Sequence, residues 1–342
     1  MITKQPLVWI CLALLVLATS CEKYNPDATS GTPRTPYVLF VGGLVGSVYK
    51  TNDGEYYKPM HAFDDVTVRQ ILTADTNILY LKGNCYVSDD EGRAFNVSNT
   101  NPRPYYDDPL YRKHFLPHQM IFDSSEQRVY LCVDGGLEQS DDFGKTFTNS
   151  AIGISPTSII EMDNNDVFAI QDDANIRVNT SGSAGWTNVV QGSSVLAAGS
   201  NYYLTSYGDK LIATDYEGVN GSYFSTNGGA DWTKFGGVAP DKLILFVNSV
   251  ENPNGGLDVF MGRDSMGLFK LNPNTNSFEA SSAGIPWYAK VMYVESKKIV
   301  FRTGEARYFY YCATDVGLFR SEEESAGADW IRVRAGEFST LE

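Results

Sequence analysis

The side chains best suited to chemistry crowd into one stretch, Asn99 to Gln119, which reads NTNPRPYYDDPLYRKHFLPHQ. It holds the aromatics Tyr105, Tyr106, Tyr111 and Phe115, the cations Arg103, Arg112 and Lys113, and two of the three histidines, His114 and His118. Aromatic faces stack on sugar rings or receive peptide side chains, and a guanidinium grips a carboxylate through two parallel hydrogen bonds. Arg103, Tyr105, Tyr106, Tyr111, Arg112 and His114 are therefore the candidate ligand-binding residues; the alternative is a connection packed against the domain, with proline fixing its path. No metal site is expected, because Pro117 breaks the helix on which His114 and His118 would share a face, and no third ligand accompanies them. Neither a glycine-rich phosphate loop nor a Gly-x-Ser-x-Gly elbow occurs, so no cofactor is expected. Among the 41 Asp and Glu no catalytic pair stands out.

The elements that must position these residues are strands. The 342 residues include 21 Tyr and 18 Phe, without the helical spacing of Ala, Leu, Glu and Lys that would make bundles. A net charge of −14, from 27 Lys and Arg against 41 Asp and Glu, and the lack of a basic patch argue against nucleic acid as a partner. One pattern recurs along the chain. Its clearest copy is Ser140-Asp-Asp142-Phe-Gly144-Lys-Thr-Phe147; Ser88, Asp90, Gly92 and Phe95 repeat it, and Ser225, Asn227, Gly229 and Trp232 do so with Asn for Asp. Weaker copies begin at 51, 179, 271 and 321, which makes seven. Ahead of each copy lie an apolar strand, a glycine-marked turn and a second strand, as in RVYLCVDGGLEQS (128–140). Each unit thus predicts four antiparallel strands, A to D, with the Ser-x-Asp-x-Gly box as the C–D turn. Asp accepts backbone N–H bonds in such a turn, Gly supplies a positive φ, and the closing aromatic packs between sheets.

Boxes in this register resemble the Asp-box (BNR) β-propellers, a family that includes sialidases, xyloglucan-degrading glycosidases, sortilin-type receptors and photosystem II assembly factors. The resemblance covers roughly residues 37–342 and implies an all-β, seven-bladed propeller of four-stranded antiparallel blades. It also implies that the boxes lie at the outer edge, away from the ligand. The first blade has strands near Tyr37–Val41 and Ser47–Lys50 but no inner strand ahead of them, so Glu337–Glu342 is expected to supply it and close the ring. Sialidase chemistry would need three convergent arginines and a Tyr nucleophile backed by Glu, on a fold that resembles six blades; Arg69, Arg263, Arg302 and Arg307 are present without a spacing that singles out a triad. The favoured function is binding of a glycan or an envelope protein by a monomeric, non-catalytic domain. The alternative is a glycan-degrading hydrolase on the same fold.

Residues 1–20 read as a signal peptide, with Lys4, the apolar run Leu7–Leu17 and small residues before Cys21. This junction resembles a bacterial lipobox of the Bacteroidetes type, which implies a lipid on Cys21, a flexible tether over 21–36, an outer-membrane location, and membrane contact through the lipid alone. Of the remaining cysteines in the body, Cys85, Cys132 and Cys312 sit in apolar strand patterns and are expected in the core.

Overall fold

The structure, a computed structural model, describes residues 39–342 apart from 52–56, 62–65, 101–117, 172–173, 184, 199, 238–242, 301–305 and 323–328. The signal segment, Cys21 and the tether lie outside the described residues. By contacts the chain divides into two units, residues 36–299 with 307–342, and residues 1–35 with 300–306; the fold below is that of the first.

Seven four-stranded antiparallel sheets form a ring, a seven-bladed β-propeller, and no helix occurs among the described residues. Blade 2 shows the pattern. Its strands Gln70–Ala74, Asn77–Lys82, Asn84–Ser88 and Asn96–Val97 run from the inside outward as A, B, C and D. The B strand, NILYLK, is apolar on both faces because both faces are covered by neighbouring blades, whereas the two residues of the D strand are exposed. The inner strands of blades 3 to 7 are Met120–Asp123, Ser158–Glu161, Tyr202–Tyr207, Ile244–Glu251 and Val291–Val300.

The core lies between blades. Phe246, Phe260 and Leu268 of blade 6 pack on Val291, Tyr310, Cys312 and Phe319 of blade 7, and comparable clusters join each consecutive pair from blade 1 onward. Cys85, Cys132 and Cys312 are buried free thiols in these layers, as expected. Blades 7 and 1 meet through the Arg334 guanidinium, 4.6 and 5.1 Å from the Tyr49 and Tyr57 rings.

Ring closure is as expected. Phe338–Leu341 is the inner strand of blade 1 and pairs antiparallel with Leu39–Gly43, Val41 opposite Leu341. Phe40 and Glu342 exchange backbone bonds of 2.9 and 3.0 Å. The Ser339 hydroxyl donates across to the Val68 carbonyl of the next blade at 2.5 Å. Gly42 must be glycine, since a Cβ there would come within 2.6 to 2.9 Å of Thr340 and Val68 side-chain carbons.

Candidate functional site

The alternation of strand direction sorts the connections onto two faces. B–C turns and D–A connections share one, here the loop face; A–B and C–D turns share the other, the turn face.

The Ser-x-Asp-x-Gly sequences form C–D turns. In three of them the serine hydroxyl accepts the glycine N–H, Gly92, Gly144 or Gly229, at 2.7 to 2.9 Å and donates to Asp90, Asp142 or Asn227. The same Asp or Asn oxygen accepts the N–H of Ala94, Thr146 or Asp231. The glycines have φ of 76°, 84° and 86°, the left-handed region. Bonds from the Ala94 N–H and Ser88 hold the Asp90 carboxyl below its ordinary range. Burial opposes the charge of Asp142, yet bonds from Thr146 and Ser140 hold it low as well. Phe147 and Trp232 are buried between blades, and Phe95 rests edge-on against Tyr80 at 5.0 Å. These side chains spend their hydrogen bonds on their own turns, so the turns are structural.

Arg103, Tyr105, Tyr106, Tyr111, Arg112 and His114 lie outside the described residues. The connection that carries them leaves the D strand Asn96–Val97 and returns at Met120, which puts both of its ends on the loop face. His118, its last histidine, is half-buried with φ of 60°, and its carbonyl accepts the Ile159 N–H at 2.7 Å. Its imidazole reaches across the ring to the Val247 backbone on the inner strand of blade 6, while Nε2 has no partner. Burial pushes its pKa down to about 4, so the ring is neutral at pH 7.

Deeper along the axis is a pair of carboxyls. Glu342 accepts the Thr73 N–H and hydroxyl at 3.2 and 3.1 Å. Burial and then the charge of Glu295 raise its pKa to about 7, against the pull of Lys297. Burial likewise raises Glu295, whose carboxylate accepts the Ser296 N–H. Asn248, next to Val247 and one residue farther from the loop face, donates to the Val294 carbonyl at 2.6 Å. His118 therefore crosses the axis nearer the loop face than the layer that holds Asn248 and Glu295. A second carboxyl, Glu161, is pushed up to about 7 by burial and by Asp123. Of the four arginines singled out, Arg69 precedes and Arg263 ends a strand at the loop face, Arg307 lies near the start of its strand at the turn face, and Arg302 lies outside the described residues.

The two faces differ in surface chemistry. Ten large apolar side chains are exposed among the described residues, and eight of them sit in loop-face connections: Val45, Val66, Val190, Val195, Val219, Met266, Trp287 and Tyr288. The other two, Val97 and Ile331, are on outer strands. Among the described residues the turn face carries instead Asp75, Asp89, Asp90, Glu91, Glu126, Asp141, Asp142, Asp163, Asp166, Asp209 and Asp231, interspersed with Arg93, Arg128, Lys145 and Lys210. A cleft of about 410 Å³ opens there between blades 4 and 5, floored by Met162, Phe168 and Leu211 and rimmed by Asp163, Asp166 and Asp209.

No family model matches the sequence, and no curated protein is similar to it. By structure the chain is similar to YCF48 from Cyanidioschyzon merolae, with 14% identity over 78% of this chain and 84% of that one and a TM-score of 0.53. It is similar to an ancestral GH74 enzyme at 14% identity and a TM-score of 0.53, over 80% of this chain and 38% of the enzyme. The likeness is one of fold. A computationally designed protein, Ika8, matches almost as well, at 10% identity over 92% and 89% of the two chains with a TM-score of 0.51. Propellers of this shape include an enzyme and a designed scaffold, so the chain's own surfaces must carry the functional argument.

Proposed function

We propose that this chain is a binding propeller of the Asp-box kind, held to the bacterial envelope by a lipid on Cys21 and engaging a protein or glycan partner with its loop face. The supporting observation is the segregation of exposed apolar side chains onto that face. Monomeric proteins seldom gather such groups on one side unless a partner covers them. The turn face, acidic and self-satisfied, serves the fold.

A second reading, glycan hydrolysis, draws on the Glu295 and Glu342 carboxyls, whose raised pKa would suit a general acid. Against it, both accept hydrogen bonds from strand residues, and His118 crosses the axis on the loop-face side of their layer. Incubation of the full chain with a glycan array, followed by product analysis of every glycan retained, separates the two. No cleavage is expected, whether or not a glycan is retained; new reducing ends that vanish in Glu342→Gln would establish the hydrolase.

A further inference from the structure

Among the described residues, the most exposed aromatic pair lies in the D–A connection between blades 6 and 7. There the Ile285 N–H donates to the Ser282 carbonyl at 3.0 Å and the Ala289 N–H to the Pro286 carbonyl at 2.9 Å, two tight turns in succession. Ile285 and Ala289 are buried in the core between the blades, beside Trp330. Of the three residues between these anchors, two are thrust outward: Trp287 is 79% exposed and Tyr288 55%. Lys290 pins the connection from the other side, since its N–H donates to the Asp315 carboxylate at 2.8 Å, its carbonyl accepts the Asp315 N–H at 3.2 Å, and its ammonium lies 3.5 Å from Asp264. An aromatic pair on so firmly held a turn loses little conformational freedom when it is covered. The fold gains nothing from leaving it bare.

We propose that the Pro286–Ala289 turn is the anchor by which the loop face grips a partner protein, one that offers an apolar side chain bordered by basic residues. This rests on the loop-face reading above and names its partner class. The rings stand at 87° with centroids 5.8 Å apart, a corner that receives a side chain rather than a flat platform for a sugar. A glycan also needs free polar groups for its hydroxyls, and the carboxylates beside the turn, Asp264 and Asp315, are already engaged by Lys290. Met266, 40% exposed, continues the apolar surface two residues beyond Asp264. Two carboxylates against one ammonium leave the border net negative, which selects a basic rim on the partner.

The test places the photo-crosslinking residue p-benzoylphenylalanine at position 288 of the full chain in its host, and at position 254 on the turn face as the control. The protein crosslinked at 288 alone is purified and titrated against the wild type. Trp287→Ala should weaken that binding at least about thirtyfold with an unchanged melting temperature, as expected of a central aromatic, and added salt should weaken it further. Binding that changes less than about threefold in Trp287→Ala overturns the anchor. So does equal crosslinking at both positions, a crosslinked second copy of this chain, or glycan-array binding that Trp287→Ala abolishes. The double variant Val195→Asp, Val219→Asp tells the two levels apart. If it abolishes binding while Trp287→Ala does not, the loop face stands and the anchor falls; if neither matters, both fall.

Discussion

Replacing Phe338 by alanine probes whether the closing strand holds the ring or merely lies against it. The side chain is 2% exposed, and its ring meets Tyr49 edge-on at 6.3 Å. Truncating a buried Phe costs about 3–5 kcal/mol through lost transfer energy and a residual cavity. Set against the roughly 5–15 kcal/mol that stabilises a typical domain, this is a large fraction, and the loss should be local first. Urea unfolding followed by tryptophan fluorescence measures the total. Hydrogen exchange at Phe40, whose N–H donates to the Glu342 carbonyl, reports whether blade 1 opens ahead of the rest. Ile331→Ala is the control: it removes an apolar side chain of the neighbouring outer strand that is 71% exposed, so its effect should stay within about 0.5 kcal/mol. A Phe338→Ala cost below about 1 kcal/mol, with Phe40 exchange unchanged, would refute closure by this strand.

Other outcomes are expected on the same grounds. Phe147→Ala or Trp232→Ala should cost about 3–5 kcal/mol and Asp142→Ala about 1 kcal/mol, without altering partner affinity once folded; a folded Asp142→Ala that no longer binds would give the turn a role in recognition. Glu342 has a folded pKa of about 7, above the 4.5 of a free side chain, so its contribution is complete below pH 4.5 and is lost as pH rises to 7. The stability of Glu342→Gln relative to wild type should therefore rise over that window in paired thermal melts, and a flat difference would count against the burial of that carboxyl. His118, with its pKa lowered to about 4, has the opposite sign: its contribution is present above pH 6.5 and lost as pH falls toward 4, and His118→Gln should remove that acid sensitivity. Cys21→Ala should abolish incorporation of labelled palmitate, and an unlabelled wild type would end the lipoprotein reading. Substituting Tyr105, Tyr106 and Tyr111 together by Ala should leave the melting temperature within about a degree or two while weakening partner binding; unfolding instead would make them packing residues.

The blade count and the closing strand were legible because the Ser-x-Asp-x-Gly turn and its four weaker copies recur at one phase, and of the seven units only the first lacks an inner strand ahead of it. Strand boundaries were less so. Thr67–Thr73 reads as one strand, yet pairing begins at Gln70, because the Thr67 hydroxyl and the Val68 N–H are drawn to the Leu44 and Gly43 carbonyls of blade 1. The carboxyl layer went unread although Ser158-Ile-Ile-Glu161 and Ser339-Thr-Leu-Glu342 share a phase, since nothing local to either segment shows that the ring carries Glu342 beside Glu295. The Trp287–Tyr288 turn stands out by composition and not by length: its connection lacks the extra residues of 99–119, and only Pro-Trp-Tyr where no strand is built sets it apart.

The direction of the first paired strand has a consequence for presentation. Leu39 opens a B strand, and B strands start at the turn face, so the described chain enters the propeller on that side. Chain entry and the exposed Trp287–Tyr288 pair therefore lie on opposite faces of the ring, so a partner seated on the loop face leaves the entering backbone uncovered.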